Sequence, residues 1–254
     1  MKKSLIALAL VSAFAVPAFA EEAAPAAEAP ALTGNVGLFS SYRFRGIDQT
    51  MGKPALQGGF DYAHSSGLYV GNWNSNVSSY AGYPGGNLEM DFYGGYKMAF
   101  GDFGLDVGGL YYYYPGTDGA AGGFKSGVVH NGEVYVGTSW KFLTLKASYA
   151  VTDYFNAANT KGTYYIDLGA AYDLGDGWGV NGHVGYLDLA HSTTGDYADW
   201  KLGVTKDVGG YVFGLSYIGT DADKTAYNWV NVAKGSQNFY AGKNTAVLSV
   251  SKTF

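Results

Sequence analysis

Apolar and polar residues alternate along almost the whole chain from Leu32 onward, and turn residues interrupt the alternation at regular intervals. A period of two places successive side chains on opposite faces and is typical of a β-strand. The pattern predicts strands of roughly ten residues, the length that a tilted strand needs to cross a membrane. Twelve such strands are predicted, with the bounds Leu32–Arg45, Ala55–His64, Leu68–Asn76, Leu88–Met98, Leu105–Tyr114, Gly132–Lys141, Leu143–Thr152, Thr163–Asp173, Trp178–Leu189, Tyr197–Lys206, Tyr211–Gly219 and Asn244–Phe254.

The predicted connections alternate in length. Short ones fall at residues 65–67, 99–104, 141–142, 174–177 and 207–210, and longer ones at 46–54, 77–87, 115–131, 153–162, 190–196 and 220–243. An even number of strands with short turns on one side and longer loops on the other is typical of an outer-membrane barrel. The sequence therefore predicts an all-β protein, a transmembrane antiparallel up-and-down β-barrel of about 12 strands.

Aromatic residues on the apolar face favour a membrane barrel over a soluble sandwich, which would show the same alternation. They are predicted to flank the short turns at Trp140, Phe142, Tyr172, Trp178, Tyr211 and Phe254, and the long loops at Tyr42, Tyr111, Tyr113, Tyr149, Tyr164, Tyr186 and Tyr217. Aliphatic residues occupy the middle of the strands. Two aromatic belts around an apolar band are what Trp and Tyr form at the two surfaces of a bilayer.

The first 31 residues are predicted to lie outside the barrel. Lys2 and Lys3 precede an apolar stretch at 4–16 and the small residues Ala18 and Ala20, which is the pattern of a signal peptide cleaved near Ala20. The alternative, a membrane anchor, needs roughly 20 apolar residues. Residues 21–31 are rich in Ala, Pro and Glu and read as a linker. The domains are thus a signal peptide (1–20), a linker (21–31) and a barrel (32–254), in the outer membrane of a Gram-negative bacterium.

Composition narrows the classes of function. The chain has no cysteine, so disulfides and thiolate chemistry are excluded. Its formal net charge is −5, and it becomes −7 when the segment with Lys2 and Lys3 is removed. Nucleic acid is therefore not an expected partner, since binding to it favours a basic surface. The 23 tyrosines, 14 phenylalanines and 39 glycines fit many strands joined by tight turns.

The stretches "YRFRGIDQT", "GKPALQGGFDY" and "GLYVGNWNSN", with the terminal Phe254, resemble the TorF family of porin-like proteobacterial outer-membrane proteins, also described as the Gcw_chp group of unknown function. The resemblance implies an outer-membrane barrel and a pore, without a substrate. A last strand that ends in Phe also resembles the signal by which barrel-assembly machinery recognises such proteins. Lys252 departs from that signal, where an apolar residue is commoner.

The polar side chains, at every second position of the strands, are predicted to face a water-filled lumen. The candidate pore-lining residues are Arg43, Arg45, Gln57, Asp61, Asn72, Asn74, Glu89, Asp91, Lys97, Asp106, Glu133, Lys146, Asp167, His183, Asp199 and Lys201. Twelve strands enclose more space than the eight that side chains just fill. Some of these charges could instead neutralise each other in pairs, and Lys97 is expected opposite Asp106 across a short turn.

Arg43 and Arg45 are the most suggestive of these residues, because they share one face near the predicted outer mouth. Guanidinium groups there could bind carboxylate or phosphate groups of a passing solute. The alternative is a structural ladder with Gln57, Asp61 and Asn74.

The expected function is passive diffusion of small hydrophilic solutes or ions, without cofactor or catalysis. The four histidines are scattered, and no pair has the spacing of metal ligands. The stretch "AHSTTGDYAD" holds His, Ser and Asp, but catalysis needs them oriented together. A non-conducting structural or adhesive barrel stays open as an alternative. An outer-membrane lipid-modifying enzyme is a third possible function. It would need a Ser or His among the lipid-facing positions, and only His64 is expected there.

Overall fold

Twelve antiparallel strands close into a barrel in the structure, a computed structural model that describes residues 32–231 and 237–254. The predicted signal peptide (1–20) and linker (21–31) lie outside the described residues, as do residues 232–236 of the last long connection. The barrel strands are β1 (Leu32–Phe39), β4 (Ala55–Ala63), β5 (Leu68–Asn76), β6 (Leu88–Phe100), β7 (Phe103–Tyr113), β8 (His130–Trp140), β9 (Leu143–Ala150), β10 (Tyr164–Gly175), β11 (Trp178–Asp188), β12 (Tyr197–Val208), β13 (Tyr211–Thr220) and β16 (Thr245–Thr253).

Two small hairpins lie in the long connections. One joins β2 (Arg43–Phe44) to β3 (Ile47–Asp48), and the other joins β14 (Asn228–Asn231) to β15 (Gln237–Tyr240). Short 3-10 helices span Gly119–Gly122 and Tyr154–Asn156. In the described part of the chain, no helix is long and apolar enough to cross a membrane.

Each barrel strand pairs with its neighbour in sequence, and β16 returns to pair with β1. The backbone N–H of Gly34 donates to the carbonyl oxygen of Phe254 at 2.9 Å, and the N–H of Phe254 donates to that of Gly34 at 2.9 Å. The C-terminal strand therefore completes the closure that removes unpaired edges, which lipid could not satisfy. The predicted fold class is confirmed.

The predicted faces are confirmed for most strands. Leu145 and Leu202 point outward, with exposed fractions of 45% and 66%, whereas the neighbouring Lys146 and Lys201 point inward. Both aromatic belts are present on the outside, with Trp140, Phe142, Tyr172, Trp178, Tyr211 and Phe254 near the short turns and Tyr111, Tyr149, Tyr164, Tyr186 and Tyr217 toward the long loops. An apolar outer surface is what a barrel in a bilayer requires.

The first strand was predicted too long. The expected range Leu32–Arg45 is wrong beyond Phe39, where the chain leaves the sheet and turns into the lumen. Tyr42, expected in the outer aromatic belt, is 1% exposed inside the barrel. Alternation continues through this region, because the β2–β3 hairpin is itself extended, so the local pattern does not mark the turn.

Candidate functional site: the barrel interior

A plug segment, residues 40–54, folds into the long-loop half of the lumen. At its tip, Arg45 and Gly46 adopt positive φ values of 47° and 79°. A Cβ atom on Gly46 would lie 2.8 Å from the Cβ of Asp199 on the barrel wall. Only glycine meets both the left-handed backbone and this close approach without strain. The tip is therefore built to sit against β12.

Arg45 fastens this tip to the opposite wall. Its guanidinium donates to Glu133 at 2.8 Å and to the Tyr154 hydroxyl at 3.0 Å. It also lies over the ring of Tyr165, 4.3 Å from the ring centroid. The side chains of Arg45 and Glu133 are 2% and 3% exposed, so this is a buried ion pair. Arg45 is thus inside the lumen, but within a plug rather than on the wall of β1 as predicted.

Arg43 joins the plug to the last long connection. It forms an ion pair with Asp48 at 3.1 Å and donates to the carbonyl oxygens of Ala241 and Lys243 at 2.9 and 3.0 Å. The indole of Trp229, on the β14–β15 hairpin, donates to the carbonyl oxygen of Asp48 at 3.3 Å. The alternative prediction, a ladder of the two arginines with Gln57, Asp61 and Asn74, is wrong, because Arg43 pairs with Asp48 and Arg45 pairs with Glu133.

Aromatic side chains fill the lumen around the plug. Phe44 contacts Tyr112 and Phe155 edge to face, with ring centroids 5.6 and 5.5 Å apart. Tyr83 stacks on Tyr114 at 4.2 Å. Sequence reasoning missed these residues as interior ones. The run "YYYYP" at 111–115 was the available signal, since four consecutive tyrosines place rings on both faces of the strand end.

The acidic residues nearest the plug are also buried. Glu89 accepts a hydrogen bond from the Tyr42 hydroxyl at 2.9 Å, and it is 1% exposed. Asp91 points inward two residues further along β6. Both were predicted to line a pore, and both do face the lumen, where the plug packs over them.

One wall of the lumen, formed by β4 to β9, carries a network of tyrosines, carboxylates and lysines. Tyr93 donates to Asp61 and Tyr69 donates to Asp106, both at 2.6 Å. The ammonium groups of Lys97 and Lys146 lie 4.3 and 3.9 Å from the ring centroids of Tyr69 and Tyr135. Lys97 faces Asp106 in the strand register, as predicted. These contacts cover the wall and hold its charges in place.

The opposite wall, formed by β10 to β13, β16, β1 and the start of β4, is lined by smaller side chains and stays hollow. A cavity of about 160 Å³ lies there between the plug and the short-turn end of the barrel. Of the predicted lining residues, six border it: Arg43, Arg45, Gln57, Asp167, His183 and Lys201. Asn181, Ser216 and Ser249, which the sequence analysis did not single out, also line it.

His183 connects two carboxylates in this wall. Its Nδ1 lies 2.8 Å from Asp167 Oδ1, and its Nε2 lies 3.6 Å from Asp199 Oδ1. Asp199 also accepts a hydrogen bond from the Tyr165 hydroxyl at 2.9 Å. Lys201 faces His183 across the β11–β12 register. The cavity is therefore bordered by both signs of charge, together with neutral amide and hydroxyl groups.

Asn72 and Asn74 do not line the lumen, and their predicted position is wrong. On β5, Leu68 and Val70 are exposed on the outside, and every second residue from there, including both asparagines, shares that face. The inward residues of β5 are Tyr69, Gly71, Trp73 and Ser75. Alternation in "LYVGNWNSN" carries polar residues on both parities, so the period alone does not decide the face.

Two long loops meet outside the membrane-spanning strands. Lys125 forms an ion pair with Asp153, which also accepts hydrogen bonds from the backbone N–H groups of Thr160 and Lys161. The hydrogen bond from Lys125 holds the pKa of Asp153 below its ordinary value. Within the described residues, no group of three or more His, Cys, Asp or Glu side chains could hold a metal ion.

Residues 22–254 match the family model described as "Bacterial protein of unknown function (Gcw_chp)". A search of curated protein sequences finds no match. The family-model match over residues 22–254 confirms the resemblance to the Gcw_chp group. The TorF assignment stays a prediction.

Solved outer-membrane porins share the fold at low sequence identity. A KdgM porin is 7% identical with a TM-score of 0.51, over 88% of this chain and 97% of that one. A KdgM porin in complex with disordered oligogalacturonate is 6% identical with a TM-score of 0.50, over the same shares. A NanC porin is 11% identical with a TM-score of 0.50, over 88% and 99%. At these identities the likeness concerns the fold alone.

Proposed function

We propose that this chain, which belongs to the Gcw_chp family, is an outer-membrane channel for passive diffusion of small hydrophilic solutes or ions through a charged lumen. The path follows the hollow wall along the cavity, and it opens fully when the plug segment leaves the lumen. No covalent chemistry is part of this function.

The hollow wall, which has charged and amide side chains among its lining residues, is the observation that carries the proposal. Lys201, Asn181 and Asp167 border a cavity in the middle of a barrel that has an apolar exterior. Burying charged and amide groups is costly unless they are paired or hydrated, so this wall favours a water-filled interior. A barrel that served only as a scaffold would gain more stability from side chains that fill the space.

The mixed charge of the interior favours solutes that are not strongly anionic. The predicted lining residues that do point inward include five basic ones, Arg43, Arg45, Lys97, Lys146 and Lys201, and seven acidic ones, Asp61, Glu89, Asp91, Asp106, Glu133, Asp167 and Asp199. A related fold binds oligogalacturonate, an acidic sugar, in one KdgM porin. For this chain we propose small neutral or zwitterionic solutes and a preference for cations among simple ions.

A non-conducting structural or adhesive barrel is the second candidate. The packing of Phe44 among Tyr112 and Phe155 favours it, because a plug with an apolar core resembles a permanent filling. The two candidates differ in whether ions cross the barrel under a voltage.

A lipid-modifying enzyme is the third candidate. Besides His64, which bonds the Ser66 hydroxyl at 2.8 Å in a short turn, His130 also lies on the outward parity, and it stacks on Tyr111 at 5.7 Å. The expectation that only His64 has this parity is therefore wrong. Neither histidine has the oriented Ser and Asp that hydrolysis needs, and both lie apart from the cavity.

Planar-bilayer recording separates the candidates. Folded, heat-modifiable wild-type protein and the plug variant Arg45→Met, Glu133→Gln are reconstituted, and single-channel steps are recorded. We expect steps from both, with the plug variant open for a larger fraction of the time. If both proteins are folded and neither gives steps, the channel proposal is wrong and the structural barrel is favoured.

Two further partners follow from the barrel. Lipid covers the outward apolar residues, and the barrel-assembly machinery is proposed to read the last strand with Phe254. The proposed location is the outer membrane of a Gram-negative bacterium, after removal of a signal peptide near Ala20.

A further inference from the structure

A pair of amide side chains interrupts the apolar outer surface of the barrel. In the strand register, Asn74 pairs with Gly58 on β4 and Met90 on β6, and Asn72 pairs with Phe60 and Phe92. Both phenylalanines point outward, with exposed fractions of 63% and 45%. Directly opposed residues share a face, so both asparagines face the membrane.

On the neighbouring strands, apolar and aromatic residues flank the two amides. Toward the long loops, the outward residues on those strands are Leu56 and Leu88, and toward the short turns they are Tyr62 and Tyr96. On β5 itself, Asn76 shares the outward face and ends the strand, and its own amide accepts from the N–H of Leu56 at 2.7 Å and donates to the carbonyl oxygen of Pro54 at 3.2 Å. Hydrocarbon supplies neither donors nor acceptors, so a polar group at this depth is costly and needs a partner from protein.

The barrel itself satisfies only part of the bonding capacity of this pair. Asn74 Nδ2 donates to Asn72 Oδ1 at 2.6 Å and, with a longer distance of 3.4 Å, to the carbonyl oxygen of Gly58. Asn72 Nδ2 donates to the carbonyl oxygen of Asp91 at 2.9 Å. Across residues 32–231 and 237–254, no donor reaches Asn74 Oδ1. An amide oxygen and an N–H of the pair thus remain available at the surface.

The surface beside the amides is recessed. Gly58 lies next to Asn74 and carries no side chain, so the outer surface is low at this position. Gly34, beside Phe60, is covered by the rings of Phe60 and Phe254. Phe60 and Phe92 project from the edges of this recess. A projecting ring and a recess side by side form a shape that a rotated copy of itself can fill.

We propose that this patch, formed by Gly58, Phe60, Asn72, Asn74, Met90 and Phe92, is the surface through which a second copy of the chain docks in the membrane. An amide both donates and accepts, so an asparagine pair complements an identical pair across a two-fold axis. A second copy in the same membrane also presents its amides at the same depth and with the same orientation. Another protein would have to match the depth and the orientation of the amides independently. Lipid tails have no hydrogen-bond donor or acceptor for an amide.

Cysteine cross-linking tests the contact with both asparagines intact. The chain has no native cysteine, so a single Met90→Cys protein can be oxidised in membranes without background. We expect a disulfide-linked species of twice the mass. The matched control is Leu215→Cys, an outward aliphatic position on β13, which should stay monomeric. Equal, low cross-linking of both folded proteins, together with a monomeric wild type in the mass measurement below, would overturn the proposal.

A second measurement covers the case in which the cysteine geometry is unsuitable. The mass of the folded protein in mild detergent is compared for the wild type and for Asn72→Leu, Asn74→Leu. We expect a dimer whose association constant falls about tenfold in the variant, the size expected for the loss of two hydrogen bonds in a membrane. The variant should fold well, because leucine suits a lipid-facing position.

Each other result contradicts the inference. A folded wild type that stays monomeric, or a variant that dimerises as tightly as the wild type, removes the patch as an interface. A monomer that carries a bound lipid headgroup only when both asparagines are present would assign the patch to lipid instead. None of these outcomes depends on whether the barrel conducts.

Discussion

The guanidinium of Arg45 and the carboxylate of Glu133 form a buried ion pair at 2.8 Å, which joins the tip of the plug to the wall of the barrel. The two residues are 88 positions apart in the chain. If one partner of a buried ion pair is removed, the other charge stays unpaired in a low-dielectric space, and the folded state is destabilised. It is therefore the contact at which the position of the plug can be changed most directly.

Removing this pair is expected to free the plug. The double variant Arg45→Met, Glu133→Gln leaves no unpaired charge, and each loss of about 1.4 kcal/mol in plug stability shifts the ratio of open to closed channels about tenfold. Open probability in a planar bilayer is the measurement. The single variant Glu133→Gln leaves the arginine buried without its carboxylate and should lower the free energy of unfolding by about 3–5 kcal/mol.

The exposed pair Lys141–Asp102, at a short turn, provides the matched control for the plug. Lys141→Gln removes an ion pair at the end of the barrel away from the plug, and open probability should not change. If Lys141→Gln and the plug variant behave alike, the buried pair does not hold the channel closed.

Thiol labelling is expected to distinguish the cavity from the membrane. Ser216 lines the cavity on β13, and its neighbour Leu215 points outward. In membranes, Ser216→Cys should react with a small water-soluble thiol reagent, and Leu215→Cys should be protected by lipid. Mass spectrometry measures the fraction labelled. Equal labelling of the two positions would mean that the cavity is dry or that the faces are wrongly assigned.

Lys201 is expected to influence ion selectivity. Lys201→Gln removes a positive charge beside the cavity, so the reversal potential across a salt gradient should shift toward that of a more cation-selective channel. The shift should fade as salt rises, since the screening length falls from about 30 Å at 0.01 M to about 3 Å at 1 M. Lys206→Gln is the control, because Lys206 lies on the same strand but bonds the carbonyl oxygen of Asp176 at the short-turn rim. A salt-independent change, or an equal one in both variants, would argue against a role for Lys201 in the path.

Phe254 is expected to matter for closure and assembly. Its backbone pairs with Gly34, and its side chain is 67% exposed on the outside next to the short-turn belt. Phe254→Asp places a charge on this lipid-facing rim and should lower the amount of folded, heat-modifiable protein in the outer membrane several-fold, whereas Phe254→Trp should keep it. Normal amounts of folded Phe254→Asp protein would show that the aromatic group is dispensable.

The arginine hypothesis changes with the structure. Free guanidinium groups at the mouth would make the variant Arg43→Glu, Arg45→Glu more cation-selective. In the plug, Arg43 is paired with Asp48 and Arg45 with Glu133, so charge reversal places like charges together. A lower folded yield is the expected result.

The period of the sequence determined most of the barrel. The bounds of β5, Leu68–Asn76, were predicted to the residue, and most other strand ends differ by one or two positions. The faces of β9 and β12 also follow from sequence, because Leu145 and Lys146, or Lys201 and Leu202, alternate cleanly. Alternation is a local property of a pleated strand, and the membrane enforces it on every strand that crosses.

Tertiary contacts decided what fills the barrel and which face the amides take. Arg45 lies in the lumen because Glu133, Tyr154 and Tyr165 receive it there, and nothing near it in sequence reveals those partners. Asn72 and Asn74 face the membrane because the pairing of β5 with β4 and β6 sets the register, and their own segment has polar residues on both parities. A local pattern determines that a strand forms; its register and the path of a loop depend on contacts between residues that are distant in sequence.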